Sequence, residues 1–159
     1  MPIESSKLKI PDPFKMNEDT VNIHVASYLV SKGFSKVNYL TGQSRGFDVY
    51  GKKDNLEVLV ESKGSHPNNP NKNKLFDNNQ LWDHLCHQIC KLLQYRDTYR
   101  DKNILLVAAN PDISRIRKQM DKIRFSVEDI GIVNMWIKEN GDVTVIYPKS
   151  IEMKAKELI

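Results

Sequence analysis

Apolar positions follow two rhythms along the chain, and their alternation predicts its elements. Val21, Val25, Tyr28 and Leu29 recur at helical spacing. Asn17 is suited to cap the start of that helix and Gly33 to end it. Val37 to Leu40 reads as a short strand. Two apolar runs, 47–50 and 56–62, then flank Gly51-Lys52-Lys53-Asp54-Asn55, a turn composition, and the second run is expected to be a central strand. From Gln80 to about Arg100, Leu81, Leu85, Ile89, Leu92, Tyr95 and Tyr99 share one face of the longest helix. The wholly apolar stretch Ile104 to Ala109 predicts a strand covered on both sides, closed by Asn110-Pro111-Asp112. Ile113, Ile116, Met120 and Ile123 mark a third helix, and the runs 132–137 and 143–147 form a hairpin around Asn140-Gly141. A short helical tail starts near Ser150. Helix, strands, long helix, buried strand, helix and hairpin in this order predict an α/β sandwich with a mixed sheet.

Two segments stand outside this rhythm. Residues 1–13 carry three prolines and predict an extended, loosely attached N-terminal arm, leaving 14–159 as a single domain. Residues 64–79 are rich in asparagine with only Leu75 and Phe76 as apolar anchors, which predicts a long mobile loop. Its place directly after Lys63 favours contact with a substrate.

Composition narrows the class without naming a function. The 159 residues, 40% hydrophobic and 28% charged, suit one globular domain. No apolar run reaches the roughly 20 residues of a membrane span, and no secretory signal pattern precedes Pro11, so a cytoplasmic location without a membrane partner is expected. Cys86 and Cys90 lie four apart in a helical pattern, which suggests reduced thiols. A net charge of +4 suits a polyanionic partner, though net charge alone speaks more to solubility and steering.

Candidate chemistry concentrates in Gly46-Phe47-Asp48-Val49-Tyr50 and Leu56 to Gly64. Phosphodiester hydrolysis needs a cation to offset charge on the phosphate and a water made nucleophilic at neutral pH. Asp48 and Glu61 supply two carboxylates for such a cation if their strands pair, and Mg²⁺ characteristically takes one or two carboxylates while keeping waters. On an extended strand Glu57, Leu59, Glu61 and Lys63 face one way, so an ammonium accompanies the carboxylate. Read instead as surface residues, Asp48, Glu61 and Lys63 would form an ordinary ion pair, and a pair worth roughly 0–1 kcal/mol explains poorly why charges interrupt an apolar strand.

Two polar residues fall on apolar helix faces. Glu18 lies between Val25 and Leu29 on the wheel, either as a site carboxylate or as a first-turn residue favoured by the helix dipole. Gln88 falls among Leu81, Leu92 and Tyr95, where a buried amide must be bonded, either to the site or to backbone. His84, Cys86, His87 and Cys90 sit on opposite flanks of the same helix and do not converge on one zinc ion. The side of the third helix bearing Arg115, Lys118 and Lys122 suits phosphate contact or plain solvation.

The Gly-Phe-Asp turn, the spacing to Glu61-Ser62-Lys63, the apolar run before it and the trailing Gly64 together resemble the PD-(D/E)xK nuclease superfamily, most of all its small Holliday-junction-resolvase-like and restriction-type members. Phe47 stands where the nominal pattern has Pro, and Glu152-Met153-Lys154 shows that the triplet alone recurs by chance. The resemblance implies a restriction-endonuclease-like α/β/α sandwich with a central mixed β-sheet flanked by helices. It further implies Mg²⁺, with Mn²⁺ as substitute, held by Asp48, Glu61 and the Ser62 backbone carbonyl, and Lys63 as catalytic lysine. Gln88 and Glu18 would be accessory members of that site. DNA is the expected substrate, with RNA left open and a homodimer or partner subunit compatible. Arg45, Lys72, Lys74, His84, Arg115 and Lys118 are the candidate nucleic-acid contacts. The competing expectations are a non-catalytic nucleic-acid-binding or assembly module that keeps the fold, and a protein-interaction module of a defence or mobile-element system.

Overall fold

The computed structural model describes residues 2–42, 45–69 and 74–159. Its centre is a six-stranded mixed sheet in the order β2 (Ser35–Tyr39), β3 (Val49–Lys53), β4 (Leu56–Ser62), β6 (Ile104–Pro111), β7 (Val133–Ile137), β8 (Val143–Ile146). The β4–β6 and β6–β7 pairs are parallel, and the three others are antiparallel. Helices cover both faces. On one, α1 (Glu18–Ser31) buries Val21, Val25 and Leu29 against Val58, Val60, Val107 and Met135. On the other, α2 (Asn78–Thr98), α3 (Ser114–Asp121) and α4 (Arg124–Ile130) pack Leu81, Leu85, Leu92, Ile116 and Val127 against Leu59, Leu106 and Ala108. The alternation of β4 decides this split, since successive side chains of a strand point to opposite layers.

Local sequence fixes where the helices begin. Asn17 Oδ1 accepts from the Thr20 amide at 2.9 Å to start α1. Asp77 and Gln80 form a reciprocal capping box at the start of α2. At the other end of the sheet, α5 (Glu152–Ala155), between two short 3₁₀ turns, buries Ala155 in the α1 layer, and nearby Leu158 does the same.

The structure departs from the sequence expectation at three places. Gly51 belongs to β3 and not to the turn, which shortens to Asp54-Asn55. A Cβ at Gly51 would stand 3.2 Å from Leu29 Cδ1, so the missing side chain lets α1 lie close to the sheet. β6 runs through Asn110 to Pro111, because a proline at the last residue of a strand leaves the rest of the ladder intact. The single third helix is two, α3 and α4, parted at Lys122 and Ile123.

The two segments outside the apolar rhythm meet each other, with 70–73 outside the described residues. Ile3–Glu4 (β1) pairs antiparallel with Lys74–Leu75 (β5), so arm and loop share a two-stranded sheet. The Asp12 carboxylate takes two hydrogen bonds from Arg115, at 2.8 and 2.7 Å. Ser65 ties the start of the 64–79 segment to the same region, its amide donating to Met16 O at 2.8 Å and its hydroxyl accepting from the Met16 amide at 3.0 Å. Among the described residues, no helix is long and apolar enough to cross a membrane.

Candidate active site

The hairpin of β3 and β4 builds the first half of the site. Val49 pairs with Val60, so Asp48, one residue earlier, arrives opposite Glu61. Its carboxylate accepts from the Ser62 amide at 2.8 Å, while its own carbonyl accepts from the Leu40 amide at 2.9 Å. Asp48 is thereby buried, with 7% of its surface exposed, and Glu61 more so at 2%.

Two carboxylates in one dry place repel. Burial, followed by the charge of Asp48, pushes the Glu61 carboxyl up to about 7, against the opposing pull of Lys91 and the Tyr95 hydroxyl. Lys91 Nζ stands 3.2 Å from Glu61 Oε1, and the Tyr95 hydroxyl donates to Oε2 at 3.0 Å. Burial, then the Glu61 charge and this hydrogen bond, raises the Tyr95 phenol and keeps it protonated. The ammonium directly on Glu61 thus comes from α2.

Lys63 finds its ion-pair partner on α1. It lies one residue past the end of β4, where its amide donates to Ala109 O at 3.0 Å and its Nζ stands 3.7 Å from Glu18 Oε2. Glu18 opens α1, and burial raises its carboxyl, Lys63 lowers it and Asp48 raises it again. Asp48 therefore acts electrostatically on both other carboxylates. Gly64 makes the approach of Lys63 to Glu18 sterically feasible: a Cβ there would lie 2.6 Å from the Glu18 amide nitrogen and 2.8 Å from the Asn17 carbonyl carbon.

Gln88 is fully buried on α2 and braces the site from below. Its Nε2 donates to Glu61 O at 2.8 Å and to Ala109 O at 3.3 Å, and its Oε1 accepts from Asn110 at 3.2 Å. The amide thus bonds the backbone of the two central strands. Ser62 Oγ is buried without a hydrogen-bond partner.

The candidate nucleic-acid contacts divide. Arg45, Lys74 and Lys118 are exposed. Arg115 is turned inward, bonding Asp12, Phe76 O and Asn78 Oδ1, so its charge serves the fold and not an open phosphate face. His84 packs its ring edge-on to Phe76 at 4.3 Å, and burial, then the nearby Lys63 charge, lowers its pKa. Lys72 lies outside the described residues.

Several members of the site escaped the sequence reading. Lys91 and Tyr95 follow Gln88 at i+3 and i+7, the spacing of one helix face, and that periodicity is the signal by which they were findable. Asn110 was masked by its resemblance to a turn residue. Phe47 and Tyr99 complete an open cleft of about 490 Å³ beside Asp48, with Arg45 and Lys91 at its rim.

A hard cation fits part of this donor set. Asp48 and Glu61 are buried oxygen donors whose mutual repulsion such an ion would relieve, and Ser62, whose carbonyl would join them, directly follows Glu61 and binds Asp48 through its amide. Among the described residues, no group of three or more His, Cys, Asp or Glu side chains is arranged to hold a metal ion, and Cys86 and Cys90 are free thiols. No protein-family model, no curated protein and no solved structure matches this chain.

Proposed function

We propose that the chain is a metal-dependent nuclease of restriction-endonuclease-like fold that hydrolyses phosphodiester bonds in DNA. The observation that carries this reading is the buried carboxylate pair Asp48 and Glu61, adjoined by the Lys63–Glu18 ion pair at the open end of the central strands. A surface ion pair gives no reason to bury two repelling carboxylates side by side, whereas a divalent cation would be held by them.

In this mechanism Asp48, Glu61 and the Ser62 carbonyl would hold Mg²⁺, or Mn²⁺ in its place. When bound, the ion offsets charge on the phosphate and lowers the pKa of water. Tyr95 and Lys91 fix the Glu61 carboxylate from α2. The Asp48 carboxylate is fixed by the Ser62 amide. Lys63, held by Glu18, supplies the positive charge that stabilises negative charge developing on the phosphate. Gln88 keeps β4 and β6 in register beneath these groups.

Supercoiled plasmid incubated with Mg²⁺ or Mn²⁺ tests the reading. Nicked or linear product is expected from the native chain, and loss of both cleavage and metal binding from Asp48→Asn. Product from neither ion, together with unchanged metal binding in Asp48→Asn, overturns it. One observation favours a second reading, a nucleic-acid-binding module without catalysis: Lys91 already neutralises Glu61 without a metal. Salt-sensitive DNA binding that ignores divalent ions would select that reading.

A further inference from the structure

The cleft beside the carboxylates offers more than a phosphate requires. Its walls are the rings of Phe47, Tyr95 and Tyr99, its rim carries Arg45 and Lys91, and its inner edge is Asp48. Phe47 meets Tyr95 edge-on with ring centres 4.8 Å apart and Tyr99 at a tilt at 5.6 Å, so the three rings form one aromatic cluster. Phe47 and Tyr99 are only half-buried, and Arg45 is exposed.

An aromatic wall with cations at its rim is the chemistry that receives a nucleotide. Each base has a π-face that stacks on such rings for about 1–3 kcal/mol, and the cations take the backbone phosphates. A base within a duplex is already stacked and paired, and removing it costs a few kcal/mol, so an unpaired base enters at the least cost. The volume is ample for one base and lies in the ordinary range of ligand pockets, about 300–1,000 Å³.

We propose that the Phe47, Tyr95 and Tyr99 cleft is a stacking subsite for one unpaired nucleobase, adjacent to the phosphate presented to Asp48 and Glu61. Resting on the nuclease reading, this names its substrate class: single-stranded or locally unpaired nucleic acid in preference to intact duplex. Tyr95 serves twice, as a wall of the cleft and as the hydroxyl that holds Glu61, which couples occupation of the subsite to the position of the carboxylate.

The test is binding of a short oligodeoxynucleotide with one 2-aminopurine, followed by fluorescence, single-stranded and again as a blunt duplex. Both are measured in EDTA and in Ca²⁺, so that no cleavage is needed. Stacking quenches the fluorophore, and about tenfold tighter binding of the unpaired strand is expected. Tyr99→Ala is expected to lose about tenfold on the unpaired strand and little on the duplex, with Tyr99→Trp restoring it. Should Tyr99→Ala fail to fold by circular dichroism, Tyr99→Leu keeps the apolar volume without the ring.

Equal affinity for the two forms, equal losses on both in the variants, or no saturable quench in either buffer overturns the subsite. So does a free mononucleotide that competes as well as the strand. Plasmid cleavage without any preference for the unpaired strand sinks the subsite and leaves the nuclease reading standing. Quenching without Mg²⁺-dependent cleavage does the reverse.

Discussion

At the scale of single residues, Glu61 carries the sharpest consequence. Its carboxyl titrates at about 7 in the fold against an ordinary value of 4.5. Between these values the folded chain holds a proton that the unfolded chain has released. Without metal, the contribution of this group to stability is therefore fullest below pH 4.5 and is lost as pH rises to 7, on the order of 2–3 kcal/mol. Thermal melts in EDTA at pH 5 and pH 8 measure it, and in Glu61→Gln that slope should flatten. An unchanged slope in the variant would show that another group titrates. Gln88 makes a prediction of a different kind, since Gln88→Leu removes its bond to the Glu61 carbonyl and takes the acceptor from the Asn110 side-chain amide at once. A loss of about 1–3 kcal/mol in urea unfolding is expected.

At the scale of elements, Gly64 shows how one helix start and a strand end share one small space. Gly64→Ala places a methyl group within 3 Å of the backbone of Asn17 and Glu18. Backbone cannot swing aside as a side chain can, so a cost of about 1–3 kcal/mol is expected, together with loss of the Lys63–Glu18 contact. Stability without any loss would show that the start of α1 gives way freely. The order of strands and helices was legible in the sequence because apolar periodicity reports which faces are covered. Asp48 and Glu61 were legible for the related reason that charges interrupting an apolar strand require a partner. The ion-pair partners were not legible: strand alternation put Lys63 on the face of Glu61, while its partner Glu18 and the ammonium on Glu61 both come from helices. Gly51 and Asn110 misled for a shared reason, as turn-type residues that the fold uses inside strands for close packing and for a buried hydrogen bond.

At the scale of the whole molecule, the N-terminal segment is part of the structure around the site. Asp12, almost buried, pairs with Arg115 on α3, and β1 pairs with β5 immediately before α2. Breaking a buried pair by removing one partner costs about 3–5 kcal/mol, and because Arg115 keeps Phe76 O and Asn78 Oδ1, about 2–3 kcal/mol is expected for Asp12→Ala. Limited proteolysis near residues 5–13, faster in the variant, is the companion measurement, and identical cleavage would show that the arm is held by β1 alone. The bond that fixes Asp48 to Ser62 spans 14 residues of chain, whereas the bond from Ser65 to Met16, which brings the lysine side against α1, spans 49. Closing the longer loop costs about 1 kcal/mol more in chain entropy. The carboxylate half is thus a local hairpin and the lysine half a long-range closure, so amide exchange should free Ser65 before Ser62. The site comes apart along that seam, leaving the carboxylate pair assembled after its lysine has let go.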